Sequence, residues 1–394
     1  MIGLQEALEL ILAESRNFGS EYIELENAAG RVLSQDIFAD RDYPPFDRAA
    51  MDGYCFFSEN NEILSQYDCV ATIFAGDTTA IALQKGQCFK IMTGAAVPQP
   101  TNVLVRVEDA IFVENKVSFS IDQVKKYQNI AQKGQDVKQG EIVIKENTQI
   151  NISAVTALAS VGQYNVEVHK LPNVALISTG NEVKSSQQPV SDVEIRDSNS
   201  YAIAAFLEKF KIKATTKALV EDNRTKLEIA LSKALENDIV IISGGVSAGD
   251  ADFVPQILAE LGVINIFHKV KIKPGKPLWF GKGKNGQILF ALPGNPFSVQ
   301  VACRIFIEPL LRKCFQLQTI DSFQLPLLQS KKKKVNLDEF FPSRLVNNPN
   351  TQVLPLFFNG SGDITAGLGS DGIALHSKFT NDLQAGDFVA FFAW

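Results

Sequence analysis

Two carboxylates follow an unbroken apolar run in DIVIISGGVSAGDADFV, residues 238–254. The β-branched cluster IVII is typical of a strand buried on both faces of a parallel sheet. Gly244 and Gly245 then supply backbone that can turn sharply or let a ligand come close. Because open α/β sheets bind ligands at the carboxyl ends of their strands, Asp250 and Asp252 are candidate ligands of a cation. A plain turn followed by a helix cap would use the same residue types, and this segment alone leaves both interpretations open.

Two more loops share this character. ISTGNEV (177–183) places Glu182 just after Thr179, and LPGNPFS (292–298) has Pro296 at a position suited to the first turn of a helix. Each loop is predicted to follow a strand and to offer backbone N–H groups near a helix start, where phosphates bind. None of the three has the glycine spacing of a Walker loop or a dinucleotide fingerprint, so those nucleotide-binding classes are not favoured.

Lysines are concentrated in FHKVKIKPGKP, residues 267–277. Lys269, Lys271 and Lys273 alternate, which predicts a single extended strand with all three on one face, and the Pro-Gly turn presents Lys276 close by. A solvent-facing basic edge is the alternative, since edge lysines discourage aggregation. Lysines and carboxylates in one sheet together indicate a polyanionic substrate bridged by a divalent cation, and oxygen ligands favour Mg²⁺.

These loops require a sheet to hold them. From Pro172 the pattern alternates strand and helix, which predicts a doubly wound, mostly parallel sheet. The predicted strands are NVALISTG, KATTKALV, DIVIISGG, FHKVKIK and ILFALPG; the predicted helices lie around SYAIAAFLEKF, RTKLEIALSKALEN, FVPQILAELG and SVQVACRIFIEPLLRK.

The rest of the chain divides around this α/β segment. Helical patterns near 4–12 and 153–161 are predicted to pack together, and KKKK at 331–334 is interpreted as a solvated face or linker. The predicted domains are a helical stalk or linker (1–44 and 138–171), an inserted antiparallel β module (45–137), the α/β domain (172–317) and a small all-β C-terminal domain (318–394).

Composition narrows the class of protein. The 394 residues are 45% hydrophobic and 21% charged with a net charge of −6, as in an ordinary soluble multidomain protein with no general affinity for nucleic acid. Five scattered cysteines without CxxC spacing and three histidines predict a reducing compartment and no zinc site. The start of the chain lacks the pattern of a signal peptide and no apolar run is long enough to span a bilayer, so a cytoplasmic location is expected.

Six segments in order resemble one family. They are YPPFDRAAMDGY (43–54), KIMTGAAVP (90–98), STGNEV (178–183), SGGVSAGDAD (243–252), KIKPGKP (271–277) and LPGNPFS (292–298). This set resembles the MoeA family of molybdopterin molybdenumtransferases, which is related to the gephyrin E domain. The resemblance implies that molybdate and adenylylated molybdopterin enter, molybdenum is placed on the dithiolene sulfurs and AMP leaves. It also implies an α/β domain like that of molybdopterin adenylyltransferase and an elongated homodimer, with that adenylyltransferase acting upstream and molybdoenzyme chaperones downstream.

The resemblance also implies roles for individual residues. Asp136 belongs to the acidic set to consider, and Arg344 and Ser361 match the C-terminal pair associated with molybdate. The implied catalytic residues are Asp52, Thr93, Glu182, Asp222, Asp252, Lys269 and Lys273. The implied substrate-binding residues are Ser243, Gly244, Gly245, Ser247, Lys273, Lys276, Pro293, Gly294, Asn295, Pro296, Arg344 and Ser361. The implied magnesium ligands are Asp250, Asp252 and Glu182.

The chain departs from the family pattern at several positions. Ala49 and Cys55 flank the MDGY motif, and Asn181 and Val183 stand where the family usually writes TGDEL. Asn181 removes one candidate metal ligand, so Glu182 becomes the expected contributor from that loop. Two rival functions remain at this point: a gephyrin-like dimeric scaffold without catalysis, and a homologue that inserts tungstate. The plain alternatives to their roles are a turn cap for Asp52, a local backbone bond for Thr93 and a surface ion pair for Arg344.

Overall fold

The computed structural model describes residues 1–246, 253–319, 322–333 and 335–394. The N-terminal part begins with one helix and continues through short strands. Its elements are α1 (Leu4–Ala13), β1 (Ser20–Glu24), β2 (Ile37–Phe38), β3 (Arg48–Ala49), β4 (Gly53–Phe56), β5 (Tyr67–Ile73), β6 (Gln87–Ile91), β7 (Val103–Arg106), β8 (Ala110–Val113), β9 (Lys116–Phe119), β10 (Ile130–Ala131), β11 (Ile142–Ile144), α2 (Ile152–Ser160) and β12 (Asn165–His169), with 3₁₀ turns at Leu25–Asn27 and Val107–Asp109.

Strands β4 to β9 form a six-stranded sheet in the order β7-β4-β6-β5-β9-β8. Four of its five pairings are antiparallel, as the alternating pattern predicts, but β5 and β6 pair in parallel. The chain between β5 and β6, residues 74–86, therefore crosses over instead of making a hairpin. The sheet is thus mixed, and the expectation of a purely antiparallel module is wrong at this pairing.

Two antiparallel strand pairs and one helix connect this sheet to the rest of the chain. Strand β1 pairs with β12, and β2 pairs with β11. Helix α2 begins after Asn151, whose side chain accepts the N–H of Ala154 at 2.9 Å and so satisfies a donor that the helix leaves unpaired. Its buried residues Ala154 and Leu158 pack with the strand pairs.

Helix α1 packs elsewhere. Its buried residues Ala7 and Ile11 belong to the core of the α/β part, together with Leu310 and Leu311. The predicted packing of the helix at 4–12 against the helix at 153–161 is therefore wrong. Periodicity identified an apolar face on each helix, but it carries no information about which partner covers that face.

The α/β part follows, and most of its elements match the sequence pattern. They are β13 (Val174–Thr179), β14 (Val183–Lys184), β15 (Ile195–Arg196), α3 (Asn199–Glu208), β16 (Ala214–Val220), α4 (Arg224–Ala234), β17 (Ile239–Ser243), α5 (Val254–Glu260), β18 (Ile264–His268), β19 (Ile272–Lys273), β20 (Trp279–Lys282), β21 (Ile288–Leu292), α6 (Pro296–Ala302), a π-helical turn (Cys303–Ile307) and α7 (Glu308–Cys314).

The main sheet has the order β16-β13-β17-β21-β20-β18. Its first four strands are parallel, whereas β20 and β18 run antiparallel at one edge. Every residue of β13, β17 and β21 is buried, because helices cover both faces. One face packs against α3 and α6, and the other packs against α4 and α5. The doubly wound, mostly parallel sheet predicted from the sequence is confirmed.

The single strand predicted through 267–273 is wrong. Strand β18 ends at His268, and Lys269 has a φ of 74°, which breaks the extended conformation. The chain resumes as the short strand β19, which joins the C-terminal sheet: Ile272 pairs with Asp338 and Lys273 with Glu339. The lysine-rich segment therefore connects two sheets.

The C-terminal part contains β22 (Phe323–Pro326), β23 (Asp338–Asn347), β24 (Thr351–Pro355), β25 (Gly372–His376) and β26 (Phe388–Ala393). Its sheet has the order β19-β23-β25-β26-β22, with β24 paired to β23. Lys333, in the basic run, is not freely solvated, since its Nζ donates to the carbonyl oxygens of Ser377, Lys378 and Thr380 at 2.5–3.0 Å. A Lys331–Glu339 ion pair at 3.3 Å lies beside it.

All five cysteines are free thiols. Cys55, Cys88, Cys303 and Cys314 are buried, and burial raises the pKa of Cys55 and of Cys303 to about 12. A protonated, inaccessible thiol reacts slowly. We therefore expect a thiol reagent at pH 8 to modify at most Cys69 in the native protein and all five cysteines after denaturation without reductant. Fewer than five thiols in the denatured sample would show a disulfide and contradict this expectation.

Candidate functional site

The carboxyl ends of β13, β17 and β21 meet at one edge of the main sheet. The loops that follow them line a cavity of about 830 Å³, which we call the strand-end cavity. The lining residues are 178–180, 182–183, 190, 194–199, 222, 243–246, 277, 293–296, 362 and 364. The structure thus brings together the three loops that the sequence singled out, as parallel strands with in-register ends require.

The first loop does not lead into a helix. After Gly180 the chain forms β14, which pairs in parallel with β15, and α3 starts only at Asn199. The expected helix start is therefore absent beside Glu182, whose backbone carbonyl accepts the N–H of Ile195 at 2.8 Å. Glu182 itself is exposed and lines the strand-end cavity.

Asp222 is held in place by the same loop. Its Oδ1 accepts the hydroxyl hydrogen of Thr179 at 2.5 Å, and its backbone N–H donates to Asn181 Oδ1 at 3.0 Å. Asn181, the departure from the family pattern, thus serves as a local acceptor that orients the neighbouring carboxylate. Asp222 and Glu182, two of the predicted site residues, both line the cavity.

The second loop needs glycine. Gly244 has a φ of 98°, and a Cβ there would lie 2.3 Å from the carbonyl oxygen of Thr179. A side chain at this position would collide with the neighbouring strand, so the tight passage over β13 requires glycine. Ser243, Gly244 and Gly245 all line the cavity as predicted. The predicted residues Ser247, Asp250 and Asp252 lie outside the residues that the structure describes.

The third loop connects the main sheet to the C-terminal part. Pro296 begins α6, as its position in LPGNPFS predicts. Asn295 Nδ2 donates to Ser361 Oγ at 2.8 Å, and the N–H of Phe297 donates to the carbonyl oxygen of Ser361 at 3.1 Å. Residues 293–296 line the cavity together with Gly362, so Ser361 is placed directly beside it.

Ser361 also lines a second cavity of about 360 Å³, which we call the lysine cavity. Lys273, Pro274 and Glu339 lie on its other walls, with residues 357–361. The Asn295–Ser361 hydrogen bond therefore lies between the two cavities. Lys273 is the one predicted lysine whose side chain is placed at a described cavity; Lys269, Lys271 and Lys276 do not line either of the two.

Asp52 and Thr93 form a compact pair in the N-terminal sheet, where Asp52 immediately precedes β4 and Thr93 follows β6. Asp52 Oδ1 accepts the Thr93 hydroxyl hydrogen at 2.6 Å and the Thr93 N–H at 2.7 Å. These two bonds, the hydroxyl first, lower the pKa of Asp52, so this exposed carboxylate is ionised at neutral pH. Among the described residues, none between 45 and 137 lines either cavity.

Two other predicted residues lie apart from the cavities. Arg344, in β23, donates from Nε to the carbonyl oxygen of Gly369 at 2.8 Å, and it lines neither the strand-end cavity nor the lysine cavity. Asp136 lies near the strand pairs, where its backbone N–H donates to the carbonyl oxygen of Tyr43 at 2.9 Å. Within this one chain, the described contacts therefore do not connect these residues to the strand-end cavity.

Sequence reasoning missed the segment 194–199, which contributes six residues to the cavity wall. Asp197 accepts the N–H and hydroxyl hydrogens of Ser200 at 3.1 and 2.6 Å, which orders the start of α3. Asn199 then donates to Ser243 Oγ and to the carbonyl oxygen of Gly294. The available signal was the run DSNS before an apolar helix, which is typical of a cap and does not reveal proximity to a distant loop.

The donors around the cavity suit a hard cation only in part. Four carboxylates line it: Glu182, Glu194, Asp197 and Asp222. Three of them already accept hydrogen bonds from Ser191, Ser200 or Thr179. Within residues 1–246, 253–319, 322–333 and 335–394, no group of three or more His, Cys, Asp or Glu side chains is arranged to hold a metal ion. Of the described carboxylates that line this cavity, Glu182 is thus the one left free for a metal ion.

Over the same described ranges, none of the helices combines the length and apolar character needed to cross a bilayer.

Comparison with known proteins gives matches over most of the chain. Residues 2–162 match a family profile described as the MoeA N-terminal region (domain I and II), and residues 175–313 match a probable molybdopterin binding domain. A molybdopterin molybdenumtransferase of Synechocystis is 30% identical over 100% of both chains. The Haemophilus influenzae protein of the same name is 34% identical over 75% of this chain and 72% of its own length. A crystal structure of the molybdopterin biosynthesis moeA protein from Pyrococcus horikoshii OT3 matches with a TM-score of 0.84 and 27% identity, covering 100% of both chains.

Proposed function

Because this chain belongs to the family of molybdopterin molybdenumtransferases, we propose that it inserts molybdenum from molybdate into adenylylated molybdopterin and releases AMP. The observation that carries this proposal is the strand-end cavity, which adjoins the lysine cavity through the Asn295–Ser361 hydrogen bond. A large cavity beside a smaller one with a lysine suits a nucleotide-activated cofactor and a small oxyanion held side by side.

The roles proposed for the residues follow from this arrangement. The glycine-rich loop at 243–246 presents backbone N–H groups to the phosphates of adenylylated molybdopterin. Lys273 and Ser361 supply a positive charge and a hydroxyl to molybdate, which is a substrate. Lys269, Lys276 and Arg344 are proposed as outer contributors to the same positive field, and Thr179 fixes Asp222 at the cavity wall.

Magnesium is proposed as the cofactor, with Glu182, Asp250 and Asp252 as its protein ligands. Mg²⁺ in enzymes that act on phosphates is held by one or two carboxylates, with water and phosphate oxygens completing its coordination. The single uncommitted carboxylate of Glu182 fits that pattern, with further ligands from the loop that carries Asp250 and Asp252. When bound, the ion would neutralise negative charge on the phosphate groups.

We further propose that the protein works as a homodimer in the cytoplasm. Asp52 and Thr93 carry the MDGY and TG motifs, yet they line neither cavity of their own chain. A second copy related by two-fold symmetry could bring this pair to each strand-end cavity. Molybdopterin adenylyltransferase would supply the substrate, and molybdoenzyme chaperones would receive the product. The domain limits proposed from the sequence, at 44, 137, 171 and 317, are retained in this scheme.

Neither rival function is favoured by a specific feature of the chain. A scaffold without catalysis would not need the Thr179–Asp222 bond or an uncommitted Glu182 beside a cavity. Tungstate and molybdate are oxyanions of the same charge and nearly the same size, so they differ little in the contacts available to them.

The proposal is tested by supplying purified protein with adenylylated molybdopterin, Mg²⁺ and molybdate, then measuring AMP and the reconstitution of a molybdenum enzyme. We expect both products, dependent on molybdate. A parallel reaction with tungstate separates the two metal preferences by the yield of cofactor. If the protein binds the pterin substrate but releases no AMP under any of these conditions, the transferase assignment is wrong and the scaffold interpretation replaces it.

Replacement of Lys273 should weaken the capture of molybdate. Lys273→Ala removes a charge at the lysine cavity, so we expect the molybdate concentration for half-maximal rate to rise about tenfold, in line with one charged hydrogen bond. Lys276→Ala should raise it less, because Lys276 is exposed and outside both cavities. The exposed Lys332→Ala variant serves as the matched control. Unchanged molybdate dependence in both Lys273→Ala and Lys276→Ala would remove these residues from the anion site.

A further inference from the structure

We propose that Ser178 and Asn199 recognise the amino-substituted nitrogen heterocycle of the substrate at the floor of the strand-end cavity. The proposal rests on the function proposed above. It assigns part of the binding specificity to two residues for which the family resemblance implied no role. Adenylylated molybdopterin carries two such heterocycles, the pterin and the adenine. Both present an exocyclic amino group beside ring nitrogens, so the chemistry to be recognised is shared.

The orientation of the Asn199 amide is fixed by its partners. One atom of the amide lies 2.7 Å from the carbonyl oxygen of Gly294, which can only accept a hydrogen bond. That atom must therefore be the Nδ2 nitrogen, and it also donates to Ser243 Oγ at 2.8 Å. Both donors of Asn199 are thus used. The remaining atom, Oδ1, is an acceptor without a hydrogen-bond partner in the described part of the chain, although the residue is only 9% exposed.

Ser178 reaches the same place from the sheet. Alternate residues of β13 and β17 face α3, and on that face Val174 and Leu176 of β13 are apolar. At the last position this face changes to serine in both strands, because Ser178 is paired in register with Ser243. Ser178 is one of the residues that line the cavity, and its buried Oγ has no hydrogen-bond partner among the residues that the structure describes. Ser243, which Asn199 contacts, thus neighbours both groups.

These two unpaired atoms differ from the polar groups around them. Thr179 is bonded to Asp222, Asn295 to Ser361, and Asp197 to Ser200. A buried polar atom without a partner destabilises the free protein, so a ligand that pairs with both atoms recovers this free energy on binding. Asn199 Oδ1 can only accept and therefore requires an N–H donor on the ligand. The Ser178 hydroxyl can donate to an adjacent ring nitrogen, which completes the pattern of an amino-substituted heterocycle.

The test uses the full-length protein and stable probes in place of the whole substrate. Dissociation constants are measured for 6-hydroxymethylpterin, for the corresponding lumazine, in which a carbonyl replaces the amino group, and for AMP. We expect the wild-type protein to bind at least one of the amino heterocycles. If the pterin is the group recognised, the lumazine should bind about tenfold more weakly, because it lacks the donor for Asn199 Oδ1. If AMP alone responds to the mutation below, the adenine is the group recognised.

Ser178→Ala separates recognition from folding. Removal of an unpaired buried hydroxyl should leave the Tm unchanged or slightly higher, yet weaken binding of the recognised heterocycle about tenfold. Ser34→Ala is the matched control, because Ser34 Oγ is also buried with no partner in the described residues but lies in the linker, far along the chain and outside the cavity. Its Tm should respond in the same direction, and its dissociation constants should match those of the wild type.

Three results would overturn the inference: no binding of either amino heterocycle by the wild type, unchanged affinities in Ser178→Ala, or a large loss of Tm in that variant. Release of AMP from adenylylated molybdopterin is measured separately on the wild type. Normal release with unchanged Ser178→Ala affinities rejects only the recognition role. Absent release with the expected affinity changes rejects only the transferase function.

Discussion

Mixing an Asp52→Ala chain with a Glu182→Ala chain is expected to restore AMP release to about a quarter of the wild-type rate, although each variant alone is nearly inactive. Loss of one catalytic group typically lowers turnover about a hundredfold or more, so both parents should fall to that level. If each site combines Asp52 of one chain with Glu182 of the other, a mixed dimer has one doubly mutated site and one intact site. With random exchange half of the dimers are mixed, and one of the two sites in each mixed dimer is intact. About one quarter of all sites are therefore intact.

The structural basis is the position of the Asp52–Thr93 pair. Two hydrogen bonds from Thr93 keep Asp52 ionised at an exposed position, and neither residue lines the cavities of its own chain. An ordered, exposed carboxylate beside a turn can reach into a cleft on a neighbouring molecule. Asp52→Ala should therefore leave the Tm close to that of the wild type, because the aspartate does not contribute to the core.

A second mixture provides the control. When the double variant Asp52→Ala/Glu182→Ala is mixed with wild type, shared sites leave every mixed dimer inactive, and about a quarter of the activity remains. Sites built within single chains would leave about half in this mixture and would give no recovery in the first one. Exchange of subunits is confirmed by mass spectrometry of differently tagged chains. Recovery that is absent despite confirmed exchange rejects the shared site.

Withdrawal of magnesium is expected to abolish AMP release, and the variants Glu182→Gln and Asp252→Asn should need more Mg²⁺ to work. Removing one of a few carboxylates weakens the binding of a hard cation and leaves phosphate charge unneutralised, so turnover at limiting Mg²⁺ should fall about tenfold or more. Raised Mg²⁺ should restore much of this loss. The measurement is the initial rate of AMP release over a series of Mg²⁺ concentrations after chelation.

Glu221→Gln is the matched control for this series. Glu221 neighbours Asp222 in sequence, but its carboxylate pairs with Lys226 at 2.6 Å and lies outside the cavity. Its Mg²⁺ requirement should equal that of the wild type. If Glu182→Gln and Asp252→Asn also keep the wild-type requirement, or if raised Mg²⁺ leaves their rates unchanged, these carboxylates do not hold the ion. Circular dichroism should show the same fold in all three variants.

The sheet that carries the site was predictable because a strand buried on both faces needs a continuous run of apolar residues, which is visible in the sequence. Strands β13, β17 and β21 are short, mostly apolar runs, and the intervening helices have clear apolar faces. The segment between His268 and Lys273 was predicted incorrectly, since the positive φ of Lys269 and the pairing of β19 depend on strand β23, which begins more than sixty residues later. Alternation of lysines alone could not reveal that break.

The local pattern likewise led to a wrong packing partner for the first helix. Ala7 and Ile11 show that α1 has an apolar face, but the face is covered by α7, about three hundred residues away. The same limit applies to Asn199: its residue type and position before a helix are typical of a cap, yet its side chain joins the ends of two distant strands. A sequence records the periodicity of a buried face, because each element must be apolar where it packs, and it does not record the identity of the partner.

The amino-acid sequence by itself determined the doubly wound sheet, the three strand-end loops and the family, because strand periodicity, glycine-rich turns and six ordered motifs are local properties of the chain. Only the tertiary structure decided that Ser361 meets Asn295 between two cavities and that Asn181 orients Asp222. It also decided that Asn199 and Ser178, which line one cavity, each keep a buried atom with no partner among the described residues. Those facts depend on which side chains meet after distant segments pack. Hydrogen-bond partners, and above all their absence, are set by that packing and not by residue type.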